Sequence, residues 1–354
     1  MEFKLGEFFC GPGGIALGAI HSGKSTHLNG KEFSIKPLWA SDYDRDTCMT
    51  YSQNIHGDLN HENVIHDDVR TLDISSLKKC DGFAFGFPCN DFSIVGESKG
   101  LKGKFGPLYS YGVQYLTTHK PMWFIAENVG GLSSSNGGEA LKLILSSMVE
   151  AGYHVVPHLY KFEQYGVPQA RHRIIIVGIR KDIDVEYKVP TPTHIGKFNT
   201  SGECISSPPI PKDADNHIMT NQSKQVIERL KHIGPGENAW SEKIPENLRL
   251  NVKGARLSNI YKRLDPNKPS YTVTGSGGGG THMYHWLENR ALTNRERARL
   301  QTFPDGYSFI GKKESVRKQI GMAVPPDGIK VIFKALLDSF ANIKYDSIKP
   351  NINI

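Results

Sequence analysis

Through the first half of the chain, short apolar runs alternate with stretches whose apolar residues recur every three or four positions. Phe3 to Phe9 and Pro37 to Ser41 have the character of strands, and Asp81 to Phe87 is a nearly continuous apolar run ended by Pro88. Trp123 to Ala126 is another strand, preceded by a helical stretch from Leu108 to His119. Glu139 to Ala151 places Leu141, Ile144, Leu145 and Met148 on one helical face and stops at Gly152. Val155 to Tyr160 and Ile174 to Ile179 look like a closing pair of strands. Such alternation predicts an α/β fold: a doubly wound, mostly parallel sheet with helices on both faces.

The pattern breaks after Pro190. From Thr191 to Gly280 the chain is rich in Pro, Gly, Asn and Ser and shows little sustained periodicity, ending in the glycine run 275–280. Helix returns at Thr293 to Thr302, where Thr293-Asn294-Arg295-Glu296 has the form of a capping box, and again at Ile329 to Ala341. The expected organisation is a catalytic and cofactor-binding domain over 1–188, a smaller irregular domain over 189–318, and a segment 319–354 that returns to the first domain.

Composition narrows the class without choosing a chemistry. The 354 residues are 38% hydrophobic and 22% charged, as in an ordinary globular protein, with no apolar run long enough to span a bilayer. The first residues lack the sections of a secretory signal, so a cytoplasmic location is expected. Five cysteines (Cys10, Cys48, Cys80, Cys89 and Cys204) form no Cys-x-x-Cys pair, which speaks against a disulfide framework and a structural metal site. The balance of 43 Lys and Arg against 36 Asp and Glu gives a formal charge of +7. This favours a polyanionic partner. Much of the excess lies in two stretches: Lys253, Arg256, Lys262, Arg263 and Lys268, then Arg290, Arg295, Arg297, Arg299, Lys312, Lys313, Arg317 and Lys318. Those residues would equally suit a solvated helix face.

Four blocks carry candidate chemistry. Phe9-Cys10-Gly11-Pro12-Gly13-Gly14 lies between a strand and a helix, where glycines let backbone approach a ligand, and Asp42 ends the second strand, placed to accept from a ribose. Pro88 holds Cys89 at the carboxyl end of a strand, ahead of a loop from Asn90 to Pro107 rich in Gly and Lys, suited to a lid over a phosphate backbone. Glu127-Asn128-Val129 follows another strand. Gln169-Ala170-Arg171-His172-Arg173 offers two guanidinium groups on one face of an extended chain.

Together, in this order, the blocks resemble the DNA cytosine-5 methyltransferases of bacterial restriction–modification systems. The resemblance continues through Arg290 to Asp305 and Gln319 to Pro326. It implies the fold of a class I S-adenosylmethionine-dependent methyltransferase, Rossmann-like, with a target-recognition domain after Pro190. It also implies transfer of a methyl group from S-adenosylmethionine to carbon 5 of a cytosine flipped out of double-stranded DNA. Carbon 5 is a poor nucleophile, so Cys89 as thiolate would first add to carbon 6. Glu127 would hold N3 and the exocyclic amine, and Arg173, with Arg171 as its partner, would orient the base or the thiol.

For the cofactor, Phe9 would stack on adenine, Gly11, Pro12, Gly13 and Gly14 would form the turn, Asp42 would hold the ribose and Tyr43 would lie beside it. Asp68 and Val69 would flank the adenine, with Pro88, Leu108 and Ala323 completing the pocket. For Tyr43, Val69 and Leu108, plain core packing is the alternative. Ser93 and Lys99 in the lid, and Arg256 and Arg263 in the recognition segment, would contact DNA. The implied enzyme is a monomer acting beside a restriction endonuclease, with no membrane and no metal.

Three departures stand out: Asn90 where the family usually has Gln, Phe105-Gly106-Pro107-Leu108 where Arg-Gly-Leu is common, and Met322 where Asn is common. A tRNA methyltransferase of the same fold would carry Cys-Phe-Thr-x-x-Tyr, which is absent. A DNA-binding protein without catalysis is the remaining alternative, and it would have to have lost activity with Cys89, Glu127 and both arginines in place.

Overall fold

The structure, a computed structural model, describes residues 1–88, 108–133, 138–252, 255–275 and 277–353. Cys89, Ser93 and Lys99, together with the lid expected over 90–107, lie outside the described residues.

The chain divides into two units, the first built from 1–162, 172–192 and 326–354, the second from 163–171 and 193–325. In unit 1, β1 (Glu2–Phe8) is followed by α1 (Gly14–His21), β2 (Ser25–Thr26), β3 (Glu32–Asp42), α2 (Arg45–Tyr51), β4 (Val64–His66) and β5 (Gly82–Gly86). Then come α3 (Leu108–His119), β6 (Trp123–Val129), α4 (Glu139–Glu150) and β7 (Tyr153–Lys161). After β8 (Gln169–Ala170), which belongs to unit 2, the chain returns with β9 (His172–Arg180) and β10 (Val189–Pro190).

One sheet runs β2-β3-β1-β5-β6-β9-β7, with β4 also on β3. Its centre is parallel, β3 to β1, β1 to β5 and β5 to β6, while β9 and β7 close one side antiparallel. Central strands buried on both faces read as continuous apolar runs, and β5 and the first half of β6 are buried in just this way. Close helix and ring packing fixes several glycines. A Cβ on Gly82 would lie 2.0 Å from the Trp123 ring, so only glycine lets that indole cover β5. The core is aromatic. Phe83 stacks on Tyr115 at 4.3 Å, and Phe8 meets Phe83 edge-on at 5.2 Å.

Unit 2 contains α5 (Ser201–Ser206), α6 (Lys224–Leu230), β11 (Ser270–Tyr271), α7 (Asn294–Leu300) and α8 (Lys313–Met322). Its core gathers Leu230, Ile233, Ala239, Ile244, Tyr261, Tyr284 and Ala291. The capping box is present: Thr293 accepts from the Glu296 amide, and the Glu296 carboxylate accepts from the Thr293 amide. The chain then re-enters unit 1 as α9 (Pro326–Phe340), followed by β12 (Ser347–Ile348), which pairs with β10. Helix α9 lies against α1 so closely that a Cβ on Gly18 would fall 2.3 Å from the Ile329 side chain.

These divisions differ from the sequence-based boundaries in three places, the first being that 189–192 stay with unit 1. Residues 163–171 belong to unit 2 because β8 pairs with β11, and the return to unit 1 comes at Pro326, since α8 packs with α7. The basic run on α7 is also not a solvated face. Arg295, Arg297 and Arg299 are buried, and Arg295 donates to the carbonyls of Asp215, Pro304 and Tyr307. Among the described residues, no helix is long and apolar enough to cross a membrane.

Candidate active site

The first element of the site is the turn between β1 and α1. Phe9 is held in the left-handed region at φ 53, an uncommon conformation for a bulky residue and one that clusters at functional sites. Gly11 and Gly13 continue the turn at φ 55 and 93. The Asp42 carboxylate ties it down, accepting from the Gly11 amide at 3.1 Å and the Asp44 amide at 3.0 Å, while the Cys10 amide donates to the Ser41 carbonyl at 3.1 Å. Space beyond Gly11 is open, with nothing within 4 Å of a Cβ built there. Gly13 offers α1 no side-chain cap, so the first amides of that helix keep their polarity for an incoming group. Tyr43, next to Asp42, is 59% exposed, which removes core packing as its explanation. A glycine turn open to solvent, a carboxylate at the next strand end and an exposed ring together fit an adenosyl cofactor. Asp68 pairs with Arg70, whose guanidinium holds the carboxyl below the usual carboxylate range.

The second element is at the carboxyl ends of β5 and β6. The register aligns Gly86 with Glu127, and Val129 of β6 with Arg173 of β9. Glu127 and Arg173 are therefore diagonal neighbours on one face, and Arg173 Nε donates to Glu127 Oε1 at 2.8 Å, with both side chains largely buried. A Cβ on Gly86 would be 3.2 Å from Glu127 Oε2, so the glycine keeps space beside the carboxylate where the chain leaves β5 toward position 89. Asn128, 2% exposed, donates to the Phe87 carbonyl at 2.9 Å and accepts from the Val129 amide at 2.8 Å. It thus pins the residue before Pro88 to β6. Sequence reasoning named Glu127 and passed over Asn128; a buried amide flanked by strand residues was its signal.

The other cysteines are poor nucleophiles. Burial pushes the thiols of Cys48, Cys80 and Cys204 up to about 12 and raises that of Cys10 well above the ordinary range. Cys80 further contacts the Tyr115 hydroxyl at 3.1 Å.

Several expectations need correction. Arg171, expected as the partner of Arg173, is 1% exposed within unit 2 and donates to the carbonyls of Val273 and Gly321, both at 3.0 Å, so its guanidinium braces backbone. Arg263 is 2% exposed and donates to the carbonyls of Leu230, His285 and Glu288 and to the Asn289 side chain. It cannot face DNA. Arg256 is exposed, lying over the Trp240 ring at 5.4 Å. Val69 and Leu108 belong to the aromatic core, as the alternative reading held. Ala323, at the end of α8, is buried in unit 2, while the departure Met322 is 60% exposed. Glu7 was not anticipated. It is 1% exposed on β1 and accepts from the Tyr51 hydroxyl at 2.6 Å.

This sheet has the Rossmann-like class I methyltransferase fold. Over 95% of this chain and 99% of the other, the fold superposes on a prophage-encoded E. coli chain, a candidate DNA modification methyltransferase, with TM-score 0.66 and 21% identity. Type II methyltransferase M.BbvI of Brevibacillus brevis is 60% identical over 98% of this chain and 94% of its own length. Type II methyltransferase M.NgoFVII of Neisseria gonorrhoeae is 37% identical over 96% and 87%. Residues 3–338 match the C-5 cytosine-specific DNA methylase family, and the chain belongs to it. It is an S-adenosylmethionine-dependent DNA cytosine-5 methyltransferase.

Proposed function

We propose that the protein modifies a cytosine within a specific duplex DNA site by flipping the base out and forming a covalent adduct with Cys89, as the modification half of a Type II restriction–modification system. The observation that carries the reading is the Glu127–Arg173 pair, level with Gly86 in the register, so that the strand leading to Cys89 ends alongside that carboxylate. The raised thiols of the described cysteines also support position 89 as the nucleophile.

S-adenosylmethionine, when bound, supplies an electrophilic methyl group on its sulfonium. Phe9, Gly11 to Gly14, Asp42 and Tyr43 would hold it, with Asp68 and Pro88 around them. Val69 and Leu108 would act from beneath, as core. The Cys89 thiolate adds to carbon 6 of cytosine, and carbon 5 gains nucleophilic character as the ring becomes an enamine. The Glu127 carboxyl grips N3 and the exocyclic amine through this addition, and Arg173 fixes the carboxyl. Once carbon 5 carries the methyl group, loss of its proton to water and elimination of the Cys89 thiolate restore the ring and free the enzyme. Ser93 and Lys99 would meet the DNA strand, and unit 2, with Arg256 exposed, would read the site. The same reading has a monomer in the cytoplasm, paired in function with an endonuclease of the same specificity.

Incubation with methyl-labelled S-adenosylmethionine and either duplex DNA or tRNA tests the substrate. Label is expected in DNA at cytosine, and label in tRNA alone would overturn the proposal. Cys89→Ala should abolish transfer while cofactor binding survives. Undiminished turnover would refute the adduct.

A further inference from the structure

Arg297 on α7 is 1% exposed, and its Nε, Nη1 and Nη2 all lack a hydrogen-bond partner. Buried guanidinium nitrogens are ordinarily satisfied, because leaving a charged donor without an acceptor away from water is costly. Arg263, Arg295 and Arg299 each hold several carbonyls or a carboxylate, and where Arg171 and Arg263 leave a nitrogen bare it is Nε alone. Arg297 is the departure, and its neighbourhood adds more positive charge. Arg317, on α8, donates Nη2 to the Gly277 carbonyl at 2.9 Å, while its Nε is also buried and unpartnered. Lys313 adds to the cationic surroundings, and His282 lies beside them. The carboxylate next in sequence, Glu296, is already taken by Arg290 at 2.7 Å and by the Thr293 amide.

Burial first, then the charge of Arg317, pulls the Arg297 guanidinium down to about 10, and His282 is pulled down to about 4 by burial and by Arg297, Arg317 and Lys313. Two tyrosines, Tyr271 and Tyr284, are also near enough to interact with it, but Tyr271 spends its hydroxyl on the Lys262 carbonyl at 3.0 Å. The Gly277 backbone lies directly over Arg317: a Cβ there would be 2.8 Å from its Nε. Glycine at 277 therefore lets the chain pass close over the Arg317 guanidinium.

We propose that Arg297 and Arg317, the latter beneath the Gly277 backbone of unit 2, form a binding site for a tetrahedral oxoanion, a phosphate group. Two guanidinium forks match its oxygens bidentately and would satisfy the four nitrogens that protein groups leave bare. The phosphate comes either from a DNA backbone or from free inorganic phosphate.

Equilibrium dialysis of wild-type protein against labelled inorganic phosphate should give one saturable site, with thermal unfolding raised by about 3 °C in phosphate over chloride at equal ionic strength. Arg297→Met, an apolar replacement of similar length, should lose both effects, and Arg317→Gln should weaken them. The source is separated by duplex binding across a salt series. A DNA phosphodiester predicts that Arg297→Met weakens duplex affinity roughly tenfold and lowers the salt slope by about 1, whereas free phosphate leaves both unchanged. The proposal is overturned if wild type binds no phosphate and Arg297→Met leaves duplex affinity and salt slope untouched.

Discussion

Glu7→Gln isolates one buried ionisable group and its linkage to pH. The carboxyl lies inside β1 with the Tyr51 hydroxyl donating to it, and desolvation raises its pKa from 4.5 to about 8, opposed by that hydrogen bond. In the unfolded chain the proton leaves near the ordinary glutamate value. Between that value and about 8 the folded protein therefore holds the extra proton, and stability falls as pH rises through the window, levelling above it. From pH 5.5 to 7.5 the loss amounts to about 3 kcal/mol, at about 1.4 kcal/mol per unit. Glutamine keeps an acceptor for Tyr51 and carries no proton to lose. The difference in Tm between Glu7→Gln and wild type should thus widen by about 6–12 °C across that range, at about 2–4 °C per kcal/mol. Differential scanning calorimetry at fixed ionic strength would measure it. Parallel Tm profiles for the two proteins would refute the argument that the buried acid, rather than the rest of the titrating surface, sets this slope.

Other perturbations separate structure from chemistry. Arg263→Ala strips donors from three buried carbonyls and should cost about 3 kcal/mol or more in chemical denaturation, leaving the salt slope of DNA binding unchanged. A lowered slope with unaltered stability would restore Arg263 to the DNA surface. Glu127→Gln should lower kcat about 100-fold or more with cofactor affinity retained, measured by single-turnover methyl transfer. Asn128→Asp keeps the acceptor for the Val129 amide but cannot donate to Phe87, so kcat should drop while the fold survives. Full activity in that variant would show that the tether does not position the strand leading to Cys89.

The strands of unit 1 were legible because burial on both faces writes itself as unbroken apolar runs, as in Phe83 to Phe85 and Ile174 to Val177. The capping box at Thr293 was legible for a local reason, since its two hydrogen bonds link residues three apart. Helix α8 was missed: its apolar contribution to the core is little more than Val316 and Ile320, set among Lys, Glu, Ser, Arg and Gln. Glu127 and Arg173 could be placed at strand ends from sequence, but their pairing depends on the antiparallel register of β6 and β9. The buried arginines were read as surface charge. What satisfies Arg263 and Arg295 is a set of backbone carbonyls brought together from distant segments, and one-dimensional patterns hold no trace of such acceptors. The carbonyls that Arg171 braces are equally invisible in sequence.

The seating of α9 on α1 has a consequence for synthesis. The N-terminal helix finds the partner for Gly18 only in residues translated more than three hundred positions later, and unit 2 is made in between. A ribosome must therefore release the chain through α9 before the sheet of unit 1 gains this cover. Chains cut short by premature termination before Pro326 would lack that cover, so they should be handed to proteases rather than accumulate as partly formed enzyme.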